Sequence, residues 1–148
     1  MACGQAQAGI ALTQDLTSSD AFQFEFPFIF RKLATMSTFD HAGLIQNINE
    51  SLGPFRKTQS EAMQGFGQLA RASMAEGAIS AKNKELIALA IGITQHCSGC
   101  VGFHVKALRK LGCTREELEE MLTICVYMGG GPALMYSAEA LKAWDALA

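Results

Sequence analysis

Neither sign of charge dominates this chain: twelve lysines and arginines stand against fourteen acids, a formal net charge of −2, with the basic residues scattered. Lacking a basic stripe, it is not built to hold nucleic acid. No apolar run approaches the roughly 20 residues that a bilayer-spanning helix needs, so no membrane partner is expected. Charged residues are also scarce, 18% against 49% hydrophobic, which excludes a disordered chain and points to one packed domain within 148 residues. Some of that apolar surplus is expected to lie in a subunit interface. The five cysteines are odd in number and only Cys97 and Cys100 are close together, unlike the even disulfide framework of a small secreted protein. A reducing, cytoplasmic setting is therefore expected.

Residues 1–35 read differently from the rest. The first twenty are rich in Ala, Gln, Ser, Thr and Asp without a helical stripe, and the next ten run Ala-Phe-Gln-Phe-Glu-Phe-Pro-Phe-Ile-Phe. A signal peptide would carry its basic residues ahead of the apolar run, whereas Arg31 and Lys32 follow it, and Glu25 and Pro27 interrupt it. Met36-Ser-Thr-Phe-Asp resembles a natural start, which makes 1–35 an extension, disordered or a mis-called start. A tail pairing with a neighbouring subunit through its phenylalanines, which alternate with strand period, is the competing reading. The domain is expected over 36–148.

Within that domain there is almost no β-branched alternation, no repeat and no low-complexity tract, and the punctuation suits an all-α fold. A first helix is expected from about Phe39 to Leu52, stopping at Gly53-Pro54, with His41 facing solvent. A second, carrying Phe66, Leu69, Ala70 and Met74 at helical spacing, runs from about Thr58 to Glu76 and ends at Gly77. Ser80 is a good N-cap for a third with Leu86, Ile87, Leu89, Ala90 and Ile93. The fourth starts near Ser98 and ends at Gly112, with Val101, Val105, Leu108 and Leu111 toward the core. Thr114-Arg115-Glu116-Glu117 is a capping box for a fifth that buries Leu118, Met121, Leu122, Cys125 and Val126. Gly129-Gly130-Gly131 breaks it, and Pro132 opens a last helix to about Leu147. The glycine run has neither the lysine nor the preceding strand of a phosphate loop, so nucleotide binding is rejected.

The chemistry concentrates in Gln95-His96-Cys97-Ser98-Gly99-Cys100, with His104 four residues later and Glu85 twelve residues before Cys97. Two cysteines at this spacing can close a disulfide if their Cβ atoms come within about 4 Å, and a nearby carboxylate and imidazole can move the proton. Along one straight helix Glu85 would lie about 18 Å from Cys97, too far for proton exchange. An antiparallel hairpin turning near Thr94 and Gln95 solves this, because reflection about the turn brings Glu85 opposite His104 or its neighbour. Packed helices lie about 8–10 Å apart, so the pair can meet directly or through one water. Cys100 stands at i−4 from His104, giving a relay Glu85, His104, Cys100. A zinc site from His96, Cys97, Cys100 and His104 is the alternative, weakened by two adjacent ligands and the absence of a second Cys-x-x-Cys. An arrangement without chemistry is a third.

These residues, together with Lys110-Leu111-Gly112-Cys113-Thr114-Arg115-Glu116-Glu117-Leu118 and Tyr127-Met128-Gly129-Gly130-Gly131-Pro132-Ala133, resemble the carboxymuconolactone decarboxylase superfamily, and in particular its alkylhydroperoxidase D-like branch. The likeness covers roughly 55–145. It implies an all-helical fold that assembles into trimers or hexamers, and a peroxidase cycle using no metal, haem or other cofactor. Residue by residue, it makes Cys100 the sulfur that attacks a small-molecule peroxide and becomes a sulfenic acid, Cys97 the resolving sulfur, and Glu85 and His104 the proton relay. A dithiol reductant, lipoyl-type in the well-known family member, would reopen the disulfide. That member is longer, with two related halves, and has a histidine before its second cysteine where this chain has Gly99. His96 is read as a turn residue, partial substitution for that histidine being the other reading. Two other readings remain: a decarboxylase of lactone carboxylates, which needs no paired cysteines, and a non-enzymatic redox sensor. Cys113 and Cys125 are expected to be packing residues, and Tyr127, Met128 and Tyr136 to make core or subunit contacts unless they line a substrate pocket.

Overall fold

The structure is a computed structural model, and it describes residues 39–147. The expected extension over 1–35, the start at Met36 and Cys3 all lie outside the described residues. Five helices follow one another: α1 His41–Thr58, α2 Ser60–Met74, α3 Ala81–Thr94, α4 Ser98–Lys110 and α5 Arg115–Ala146. There is no strand among the described residues, and the expected all-α class holds.

The starts of α3 and α5 lie where their caps predict. Ser80 accepts from the Asn83 N–H at 3.2 Å, and the capping box of Thr114 and Glu117 is complete, 3.2 Å one way and 2.8 Å the other. The end of α1 differs from expectation. α1 does not stop at Gly53-Pro54 but carries Pro54 inside it to Thr58. Proline's fixed φ is itself helical, the residue before it has no Cβ to meet the ring, and Glu50, whose carbonyl loses its N–H partner, is exposed to water. The glycine run interrupts α5 as expected: Gly130, at φ 65° and ψ −149°, is non-helical, so α5 is two helical stretches that meet end to end across a kink there.

The core lies where α3, α4 and α5 meet, with α1 laid across α4 and α5. Leu89, Ile93, Val101, Val105, Leu108 and Leu118 are fully buried there, each contributing about 1.5–3 kcal/mol by leaving water. Arg109 braces the far end, its guanidinium 4.8 Å above the Trp144 ring. Several expected core positions face outward instead. Leu111 is exposed because α4 has ended and the chain is already turning away, and Ile87 points off the outer side of α3. α2 buries nothing: Phe66 and Leu69 are 68% and 65% exposed. Its apolar residues have the right spacing, but among the described residues α2 packs only on α1 and α3, at the margin of the bundle.

His41 reverses its expectation outright. It is fully buried beneath Phe39, ring centroids 4.8 Å apart, and neither ring nitrogen has a hydrogen-bond partner among the described residues although Glu139 lies close by. Burial pushes its pKa down, the Glu139 and Asp40 charges push it back up, and Lys142 adds to the lowering.

Candidate redox site

α3 and α4 form the antiparallel hairpin that the cysteine site requires, joined by three residues. The α3 C-terminus closes by two bonds, His96 N–H to the Ile93 carbonyl at 3.1 Å and Cys97 N–H to the Gly92 carbonyl at 2.9 Å. This is the pairing that ends a helix on a left-handed residue. That residue is usually glycine, yet here it is His96, at φ 57°. The expected turn role of His96 is thereby met, and its ring stacks on Tyr136 of α5, centroids 5.0 Å apart and 20° from parallel.

The chain then enters α4 directly. Cys97 is the N-cap, and its Sγ accepts from the Cys100 N–H at 3.2 Å. Cys97 and Cys100 are joined in a disulfide, with Cα atoms 5.2 Å apart. α3 comes close behind them: a Cβ at Gly92 would stand 3.0 Å from Cys100 Cβ, so a larger residue there would press the helix and the cysteine apart. On the other side Ile48 of α1 fills the space next to Gly99, its Cδ1 2.9 Å from where a Cβ would stand. The zinc alternative needs two free thiolates, whereas these sulfurs are bonded to each other and the His96 ring is turned onto Tyr136.

Glu85 and His104 meet directly, as the reflection about the turn predicts. Nδ1 of His104 and Oε2 of Glu85 are 2.7 Å apart, with side chains 30% and 15% exposed. A carboxylate only accepts, so the shared proton sits on Nδ1, and Nε2 of a neutral ring keeps the lone pair that can take a proton. His104 lies one helical turn beyond Cys100. The two cysteines, the imidazole and the carboxylate therefore belong to one hairpin, held from both sides by buried Leu89, Ile93, Val101 and Val105.

The other two described cysteines are free thiols and buried, as packing residues should be. Burial pushes both thiols up, with the Glu117 carboxylate adding to the effect at Cys113. Neither is primed as a nucleophile.

Sequence reasoning did not connect two residues of α5 to the site. The Ser98 hydroxyl donates to Oε2 of Glu139 at 2.8 Å, across 41 residues, and Tyr136 packs against the core as expected but also stacks on His96. Only the one-turn spacing of Tyr136 and Glu139 could have suggested that they act together, and nothing in the sequence says which face of α5 meets the turn.

Known proteins share the sequence and fold of this chain. The model of the family described as "Carboxymuconolactone decarboxylase family" matches residues 60–143. An uncharacterized protein of Cupriavidus necator is 38% identical over 110 residues, 74% of this chain and 97% of its own length. "Uncharacterized protein 4 in cox locus" of Paracoccus denitrificans is 30% identical over 95 residues, 64% of this chain and 86% of that one. A solved structure described as a carboxymuconolactone decarboxylase family protein from Legionella pneumophila, in its apo form, superposes with a TM-score of 0.71 at 48% identity. It covers 72% of this chain and 96% of its own.

Proposed function

The chain belongs to the carboxymuconolactone decarboxylase family, and from that premise we propose that it is a thiol-dependent peroxidase of the alkylhydroperoxidase D-like kind. The observation that carries this reading is a Cys97–Cys100 disulfide one helical turn from a hydrogen-bonded Glu85–His104 pair. A decarboxylase has no use for the paired cysteines.

In the cycle, His104 Nε2 takes the Cys100 proton while Glu85 holds the ring by Nδ1 and steadies the imidazolium. The Cys100 thiolate attacks an oxygen of the hydroperoxide. An S–O bond forms, the O–O bond breaks, and the leaving alkoxide takes the proton from His104 to depart as the alcohol. Cys97 then attacks the Cys100 sulfenic acid: the S–S bond forms, the S–O bond breaks, and the oxygen leaves as water with the Cys97 proton. A small dithiol of lipoyl type supplies two electrons and two protons to reopen the disulfide and is itself oxidised to its cyclic disulfide.

The chain acts as a homo-oligomer, trimer or hexamer, in a cytoplasmic setting. Ile87, Ile91, Ile124, Tyr127 and Met128 are each at least half exposed on α3 and the first part of α5, apolar side chains that a subunit interface would cover. Size-exclusion chromatography with light scattering tests this, a monomer at micromolar concentration being the contrary result. No helix among the described residues is long and apolar enough to cross a membrane. The catalytic proposal is tested by following hydroperoxide consumption with dihydrolipoamide, wild type against Cys100→Ser. Turnover lost in the variant supports the peroxidase; disulfide formation without turnover favours the redox sensor.

A further inference from the structure

Cys97 is gripped from both neighbours by one face of α5. His96, just before it, stacks on Tyr136, and Ser98, just after it, donates its hydroxyl to Glu139 at 2.8 Å. Tyr136 and Glu139 are three residues apart and so lie one turn from each other on the same side of the helix. The carboxylates at the starts of α3 and α5 come from nearby in sequence: Glu76 accepts from the Ala81 N–H, and Glu117 accepts from Thr114. At the start of α4 the carboxylate comes instead from a helix distant in sequence, and it reaches the residue between Cys97 and the rest of the motif. The Ser98–Glu139 contact is half-buried, where a charge is less screened than on the surface.

We propose that Tyr136 and Glu139 form a clamp that positions the Cys97–Cys100 turn, and that the Glu139 carboxylate biases the couple toward the disulfide by opposing negative charge on the freed sulfurs. Glu139 is thus a positioning residue, acting through Ser98 and through its field. Reduction adds two electrons and two protons to the disulfide, or two electrons and one proton where a sulfur stays ionised. A fixed negative charge beside the turn disfavours that ionised product, whereas the α4 N–H groups favour it. The carboxylate therefore offsets the dipole and makes the dithiol the stronger reductant. This reading rests on Cys97 and Cys100 being a working redox couple and is independent of which oxidant they meet.

The test uses the full chain equilibrated in dithiothreitol buffers of graded oxidation state, with the reduced fraction counted by alkylation and mass spectrometry. Glu139→Gln keeps an acceptor for Ser98 but removes the charge. It should raise the reduced-to-oxidised ratio by about three- to tenfold, tenfold being about 30 mV. It should also move the pH midpoint of iodoacetamide alkylation of the reduced protein downward. Ser98→Ala should shift both readouts the same way by less, and Ser98→Thr should restore wild-type values. An unchanged ratio and midpoint in a folded Glu139→Gln protein would overturn the proposal, as would a wild-type disulfide that resists reduction throughout. Should Glu139→Gln not fold, Ser98→Ala alone decides, and wild-type values there overturn it too. A couple that shifts as predicted in a protein that consumes no hydroperoxide would remove the peroxidase and leave the clamp standing.

Discussion

The two turns that bracket α4 share a backbone and differ in chemistry. Each closes the preceding helix with the same pair of bonds, Cys97 N–H to Gly92 and His96 N–H to Ile93 at one end, Cys113 N–H to Leu108 and Gly112 N–H to Arg109 at the other. Both have a left-handed residue, His96 at φ 57° and Gly112 at φ 68°, and both put a cysteine next. The second turn then has one more residue, Thr114, which takes the N-cap of α5. Cys113 is left to pack inward, 7% exposed, with its thiol pushed up by burial. The first turn lacks that residue, so Cys97 is itself the cap and its sulfur faces the helix N–H groups and Cys100. One residue of connection separates a packing cysteine from a disulfide-bonded one.

Exchange of function at the cysteines is the largest effect that can break this comparison. Cys100→Ser should abolish dithiol-driven hydroperoxide reduction to the buffer blank, while Cys113→Ser stays within about twofold of wild type, since a buried unionised thiol takes no part. Equal losses would erase the distinction between the turns. Next comes the relay: His104→Ala should lower turnover by about 10²–10⁴-fold as the proton acceptor is lost, and Glu85→Gln by a smaller factor, because the ring remains but loses its anchor. Rates are read as kcat/KM for hydroperoxide at saturating dithiol, with thermal melts confirming that both variants fold.

The left-handed residues allow a finer contrast. Gly112→Ala should cost about 1–2 kcal/mol by forcing a Cβ into that conformation. His96→Gly should be nearly neutral, because relief of the same strain is offset by loss of the Tyr136 stack and by a more flexible unfolded chain. His96→Ala keeps the strain and loses the stack, and should therefore be less stable than His96→Gly by about 1 kcal/mol. Urea melts measure all three, and equal stability of the Ala and Gly variants would show that position 96 is not held left-handed.

An effect shared by both turns comes from His41, which abuts Gly102 midway along α4. Its pKa is lowered in the folded state, so below about 6.5 the unfolded chain binds the proton first and stability should fall as pH drops from 7 toward the lowered value. Replacing it by leucine removes two unpartnered buried nitrogens. His41→Leu should gain about 1 kcal/mol and flatten that part of the pH profile, as followed by urea melts between pH 5 and 8.

Much of this was legible because it is local. Ser80 and the Thr114–Glu117 box announce helix starts through bonds within four residues, and Val101, Val105 and Leu108 announce a buried face by spacing alone. The Glu85–His104 contact is not local, but a short hairpin fixes its partner by counting. What escaped depends on which surface another helix happens to cover. His41 is buried because α1 lies across α4 and α5 with Phe39 over it, and Phe66 is exposed because, among the described residues, α2 has no third helix beside it. Ser98 meets Glu139, and His96 meets Tyr136, only because α5 returns past the turn beyond its bend at Gly130.

The most direct test of the central claim is the number of hydroperoxide molecules reduced per chain with dihydrolipoamide in excess, followed to completion while the thiols are mapped. Many turnovers, with Cys97 and Cys100 alone cycling between dithiol and disulfide, are predicted. Consumption that stops at one hydroperoxide per chain, or that continues unchanged in Cys100→Ser, would contradict it.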